Sequence, residues 1–116
     1  MRALENLDNV LYELCRHSCN LMDSWMPYPC NAIAENLSIS KYAARKCIKE
    51  LRERGLVEKD SIIPDHEYCS LPYNGFCVTE MAKKTDTFKR AAKDEAKICA
   101  EIFGDTEDMW YNVFIK

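Results

Sequence analysis

Residues 32–57, AIAENLSISKYAARKCIKELRERGLV, decide the fold. Asn31 to about Leu37 predicts a short helix with Ile33, Ala34 and Leu37 on its apolar side. Ser38-Ile39-Ser40 follows, and Ser40 is a good N-cap, because its hydroxyl can accept from a backbone N–H one turn ahead. The second helix runs to about Arg54 and stops at Gly55, a residue favoured just past a helix end. Ala44, Cys47, Ile48 and Leu51 form its buried stripe at i, i+3, i+4, i+7. A short helix, a turn and a longer capped helix make the helix-turn-helix plan.

With that stripe turned inward, Lys41, Tyr42, Arg45, Lys46 and Lys49 face outward or flank the boundary. Residues 41–59 carry seven Lys/Arg against three acids, a local charge of +4, while the whole chain carries −3. Residues 1–40 stand at −3 and residues 60–116 at −4. Positive charge gathered on one helix of an acidic protein is the local footprint of a DNA-reading surface.

The run resembles the winged helix-turn-helix superfamily, in particular small MarR-like bacterial and prophage DNA-binding proteins. The residues that carry the likeness are Ile33-Ala34, Leu37, Ser40, Ile48, Leu51 and Gly55-Leu56-Val57. Gly75-Phe76-Cys77-Val78-Thr79-Glu80 resembles the second wing strand and the opening of the next helix. The likeness spans about residues 30–84. It implies a mainly α fold with a small β-hairpin wing: a three-helix core plus a long C-terminal helix. It also implies double-stranded DNA as partner and a two-fold homodimer. Wings of this superfamily often meet DNA with Arg or Lys at the tip. This tip has Asp60, Asp65, His66 and Glu67 and no Arg or Lys, which departs from the pattern.

At 116 residues the chain is read as one domain with enough length for a core. It is 47% hydrophobic and 30% charged, ordinary for a soluble globular chain, and no apolar run approaches membrane-spanning length. Glu5, Asp8 and Glu13 interrupt the N-terminal apolar pattern, which excludes a signal peptide and points to the cytoplasm. Seven cysteines (15, 19, 30, 47, 69, 77 and 99) show no CxxC spacing. In a cytosolic chain disulfides are not expected. Cys15 and Cys19, with His17 between them, could hold two corners of a zinc site completed by Cys30, His66 or Cys69. A redox switch is the other sharp reading. Thiols packed as small hydrophobes is the preferred one, with no metal and no cofactor.

In order, residues 1–22 predict helix 1, with Leu4, Leu7, Leu11, Leu14, Ser18 and Leu21 at alternating spacings of three and four. The face serves the domain core or, in a sharper reading, a dimer. Residues 23–29 form a connector, broken by Pro27 and Pro29, whose Trp25, Met26 and Tyr28 cap the core. Residues 31–55 are the helix-turn-helix. Residues 56–79 are the wing hairpin, with strands at about 56–59 and 75–79. Residues 80–104 form a C-terminal helical segment: Thr79 caps a short turn, and Thr85 or Asp86 caps a longer helix with Phe88, Ala92, Ala96, Cys99 and Phe103 inward. Lys83, Lys84, Lys89, Arg90, Lys93 and Lys97 decorate its outer face. Residues 105–116 form an apolar tail, β-prone from Met109 to Ile115, that packs on the domain, adds an edge strand or crosses to a partner.

The expected function is sequence-specific double-stranded DNA binding by a small transcriptional regulator or prophage control protein. Arg45 is the expected base reader, since a guanidinium bonds guanine O6 and N7 together. Lys41, Tyr42, Lys46 and Lys49 are assigned to phosphates or base edges, and Ser40 to a phosphate through its backbone N–H. The homodimer is expected through helix 1 and the C-terminal helix. The alternative is a protein-interaction module on the same scaffold, favoured by the acidic wing tip, the net negative charge and the apolar tail. An enzyme is not expected: three dispersed glycines make no phosphate loop, His17 and His66 sit in no motif, and Asp94-Glu95 do not face one another.

Overall fold

The structure, a computed structural model, describes residues 2–62 and 73–116. Five α-helices and a two-stranded antiparallel hairpin are found among them: α1 (Arg2–Cys19), α2 (Cys30–Leu37), α3 (Lys41–Glu53), β1 (Val57–Ile62), β2 (Tyr73–Val78), α4 (Asp86–Phe103) and α5 (Glu107–Ile115). No described helix is long and apolar enough to cross a membrane. The wing-tip residues Ile63, Pro64, Asp65, His66, Glu67, Tyr68, Cys69 and Pro72 lie outside the described residues.

The α2–α3 unit follows its local chemistry. Ser38 ends α2 in the left-handed region (φ 56°), and its N–H reaches the carbonyls of Ala34 and Glu35. Ser40 then caps α3, its Oγ accepting from the Ala43 N–H at 3.0 Å. Ala44, Cys47, Ile48 and Leu51 are all buried, as the 3.6-residue period requires. Gly55 (φ 77°) turns the chain out of the helix and into β1.

Thr79 ties the far end of the hairpin back to this turn. Its Oγ1 donates to the Gly55 carbonyl at 2.6 Å, and its N–H donates to Leu56 at 3.0 Å. The same hydroxyl accepts from Ala82 at the opening of a single 3₁₀ turn, Ala82–Lys84. Thr85 caps α4, accepting from Phe88 N–H at 3.2 Å.

The hairpin is longer than expected at both strands. Val57 pairs with Val78 and Ile62 with Tyr73, so β1 extends past Lys59 and β2 begins before Gly75. Tyr28 also pairs with Phe76 through two backbone hydrogen bonds of 3.0 Å, adding one residue of the connector to the free edge of β2. The prolines on either side of Tyr28 lack N–H groups and so cannot donate to extend this pairing.

Helix 1 ends at Cys19 rather than at residue 22. The Asn20 Oδ1 accepts from the backbone N–H groups of Met22 and Asp23, at 2.9 and 3.0 Å, and so draws the chain into a turn. Leu21, expected to extend the apolar seam, is consequently exposed, as is Met22 beside it. In the connector, Tyr28 is buried as expected, whereas Trp25 is exposed.

The core forms where α1 lies against α3 on one side and α4 on the other. Val10, Leu14, Cys15, Ile33, Leu51 and Phe88 are its largest fully buried side chains. Polar pairs mark the α1–α4 alignment: Asp8 with Thr87 and Arg90, Tyr12 with Asp94, and Arg16 with Glu95. Partner numbers rise together, so the two helices run parallel. Alanines at 91, 92 and 96 are buried in α4, so the helix can be approached closely there.

The tail is a helix, not an edge strand. Thr106 caps it, accepting from Met109 N–H at 3.2 Å, and Glu107 and Asp108 fill its first turn, where the helix dipole favours anions. Tyr111 and Phe114 pack against the core, yet no residue of α5 is fully buried. Phe103, expected in the inward stripe, is 58% exposed and instead meets the Trp110 ring at 5.9 Å between centroids.

Candidate nucleic-acid interface

The buried stripe of α3 fixes which residues point away from the protein. Lys41, Tyr42, Arg45, Lys46 and Lys49 are all exposed on the helix, and Tyr42 is 73% exposed. Ser40 is also exposed, but its hydroxyl is engaged in the cap. All six expected contact residues therefore lie on one continuous segment, the cap and outer surface of α3.

The electrostatics separate two groups of cations. Arg54 is held by Glu50 of its own helix at 3.1 Å, an i,i+4 pair. Lys41, Arg45, Lys46 and Lys49 make no ion pair among the described residues. Lys46 and Lys49 also border a groove of about 560 Å³ between α3 and the start of α1, floored by Leu7, Ala43 and Cys47. An unpaired, solvated ammonium or guanidinium can neutralise a phosphate without first breaking an internal salt bridge.

Of the cations on the outer face of the C-terminal segment, Arg90 and Lys83 are paired, whereas Lys84, Lys89, Lys93 and Lys97 are exposed and, like those of α3, make no ion pair among the described residues. Arg90 donates to Asp8 at 2.9 Å and lies over the Tyr12 ring at 5.0 Å. That bond, with the Thr87 hydroxyl, holds the Asp8 carboxyl below the usual carboxylate range. Lys83 pairs with Glu80.

Of the six described cysteines, Cys15, Cys19, Cys47 and Cys99 are buried and Cys30 and Cys77 are half-buried. Burial pushes the Cys15 thiol up to about 12 and that of Cys19 to about 11. His17, placed between them in the zinc reading, turns away: its Nε2 bonds the Met26 carbonyl at 2.6 Å, and its ring stacks on Tyr28 at 4.5 Å. Among the described residues no group of three or more His, Cys, Asp or Glu could hold a metal ion, and His66 and Cys69 lie outside them.

These thiols give the protein an alkaline limit. Burial also raises Tyr28 to about 12, and burial with the Glu58 and Asp60 carboxylates raises Cys77 to about 11. Raised folded-state values mean that the neutral forms are favoured by folding. Their contribution is complete below the unfolded thiol value near pH 9 and is lost as pH rises toward 11–12. The melting temperature should therefore hold steady to about pH 9 and then fall progressively. A melting temperature unchanged up to pH 11 would contradict the burial of these groups.

Two features escaped the sequence reading. Glu95 is a carboxylate with only 7% exposure, sealed by Arg16 of α1. Tyr28 joins a hydrogen-bonded set, donating to Glu13 at 3.0 Å and accepting from Asn36 at 2.5 Å. Glu95 does occur on the inward side of the α4 stripe, beside Ala91, Ala92 and Ala96, which was a usable signal. Nothing local marks Tyr28, because its partners are distant in sequence. Compared with models of protein families, with curated proteins and with solved structures, the chain matches none.

Proposed function

We propose that this protein binds double-stranded DNA sequence-specifically, with α3 as the element that enters the major groove of a winged helix-turn-helix. On this reading it is a small cytoplasmic transcriptional regulator or prophage control protein. The observation that carries it is the exposed outer face of α3: Lys41, Arg45, Lys46 and Lys49 without an acidic partner among the described residues, beside the exposed Tyr42. The major groove is wide enough to admit such a helix. Arg45 reads a guanine edge, and the lysines hold the phosphates on either side.

A two-fold homodimer through helix 1 and the C-terminal helix, α4, belongs to the same reading. It is supported by Ile98, Ile102 and Phe103 of α4 and by Met109 and Val113 of α5, which are exposed apolar side chains. Selecting bound sequences from a randomised duplex library tests both parts. A recurring inverted repeat with half-sites about one helical turn apart is the expected product. Unenriched sequences at every round would overturn the claim of specificity.

The exposed apolar side chains on α4 and α5 equally favour a second reading, a protein-interaction module with no DNA contact. A partner protein that stays bound at high salt, with no duplex binding at low salt, would establish it.

A further inference from the structure

We propose that a second copy of this chain docks on the C-terminal end of α4. The two α4 helices meet antiparallel about a two-fold axis that passes near Cys99, with Lys97 of each copy against Glu101 of the other. The proposal rests on the homodimer of the reading above and gives that homodimer its axis and register.

The way the chain packs on itself decides where a partner can sit. Leu7, Val10, Leu11 and Leu14 of α1 are buried in the chain's own core, so the described length of helix 1 has no aliphatic side chain left for a partner. Contacts between α1 and α4 join residues whose numbers differ by 79 or 82, as in Arg16 with Glu95 and Tyr12 with Asp94. By that offset Cys19, the last residue of α1, lies beside residues 98 to 101, and α4 continues to Phe103 with nothing from α1 alongside. Ile98, Ile102 and Phe103 are exposed there, Ile102 by 67%. The α5 helix covers only one flank, where Trp110 meets Phe103. Large apolar side chains left in water on a helix that buries Phe88, Ala92 and Ala96 nearer its start mark an interaction surface.

Charge names the occupant. Lys89, Lys93 and Lys97 follow one another at intervals of four on α4, exposed and without an ion pair among the described residues. From Ile98 to Asp108 the chain carries Glu101, Asp105, Glu107 and Asp108 and no Lys or Arg. Lys97 and Glu101 stand four apart on one helix yet do not pair with each other, and a lysine N-terminal to its glutamate is the poorer orientation for such a pair. A two-fold axis across the helix reverses its direction, so the basic part of one copy lies on the acidic part of the other. Parallel docking would set like charges together, and an unrelated surface of one sign would meet half of this stretch with the wrong sign. Residue 99 lies midway between Lys97 and Glu101, which makes these two the reciprocal pair nearest the axis.

Sedimentation equilibrium on the full chain reads the association, and circular dichroism checks the fold of each variant. The wild type should be a dimer at about 100 μM. Ile102→Glu should be monomeric there with an unchanged spectrum, since this side chain is exposed in the single chain. Lys97→Glu and Glu101→Lys each put like charges at both symmetric contacts, and each should weaken the dimer at least about tenfold. Mixed in equal amounts, the two variants should form a heterodimer of near wild-type affinity, because both contacts then join opposite charges. A dimer that survives Ile102→Glu, or charge variants that neither weaken the dimer nor rescue one another, would overturn this interface and leave the homodimer standing. A monomeric wild type at that concentration, the result expected if the surface serves a different protein, would overturn both. No DNA is present, so failure here and failure of the α3 reading are distinguishable.

Discussion

Replacing Arg45 and Lys49 together with alanine should weaken duplex binding by about ten- to a hundredfold and relax base preference at one position. The two residues are expected to fail in different ways. Arg45 is the candidate for a bidentate bond to guanine O6 and N7, so its loss removes roughly 1–3 kcal/mol from the preferred sequence and much less from others. Lys49 is a point charge, so its loss weakens all sequences alike and lowers the salt slope by about one. Neither side chain is buried or paired within the described structure, so the variant should melt close to the wild type. That separation matters, since lost binding with intact stability locates the effect at the surface. The measurement is fluorescence anisotropy on the selected site and on a scrambled duplex. Unchanged affinity and unchanged preference would remove α3 as the reading element.

Gly75→Ala should be among the most destabilising single-methyl changes in the chain. A Cβ at position 75 would lie 2.7 Å from the Tyr28 carbonyl carbon, 2.8 Å from that of Pro27 and 2.8 Å from the Tyr28 nitrogen. All three are backbone atoms, so no side-chain rotation relieves the clash. The connector would have to separate from β2, which breaks both Tyr28–Phe76 hydrogen bonds. It would also disturb the Tyr28 hydroxyl bonds to Glu13 and Asn36. The expected loss is toward the upper end of the roughly 1–3 kcal/mol that overpacking costs. For a domain of this size each lost kcal/mol lowers the melting temperature by several degrees, roughly 3–6 °C. Gly55→Ala makes an informative contrast. Its Cβ would meet only the end of the Met81 side chain at 3.6 Å, so any penalty there comes from the φ of 77° and not from contact. A Gly75→Ala melt within a degree of wild type would show that the connector does not pack against β2.

Local chemistry made most of the helices legible. The Ser40 cap, the Gly55 exit and the four-residue stripe of α3 depend on side chains a few positions apart, and each occurs where the spacing placed it. The same holds for Thr85 and the start of α4. The sequence reading failed where the deciding partner was distant or where two local signals competed. Asn20 looks like one more polar residue beside an apolar seam, but its side chain offers the backbone an alternative to helix. Met109–Ile115 is rich in residues that favour strands, yet a strand needs an edge to pair with. The Thr106 cap with two following acids supplies a helical start that the apolar run then extends.

For the candidate surface, spacing alone placed all six residues on the outer side of one helix segment. It could not tell which cations are free. Glu50 takes Arg54 rather than Lys46, although each lies four residues from it, because the guanidinium brings two donors to one oxygen at 3.1 and 3.2 Å. Charge counts treat these side chains as equal. The open groove beside α1, lined by Glu13, His17, Tyr28, Asn36 and Glu95, was not legible at all, since its wall is assembled from four segments whose residues carry no common motif.

The salt dependence of duplex affinity tests the central claim most directly. The purified protein is titrated into a labelled random duplex at two salt concentrations, about 50 and 200 mM, and anisotropy is recorded. The three phosphate-holding lysines predict a log–log slope of roughly −3. Affinity should therefore fall by about fortyfold over that range. A folded sample that shows no binding at the lower salt, or binding that salt does not weaken, would contradict the assignment of α3 as a DNA-binding surface.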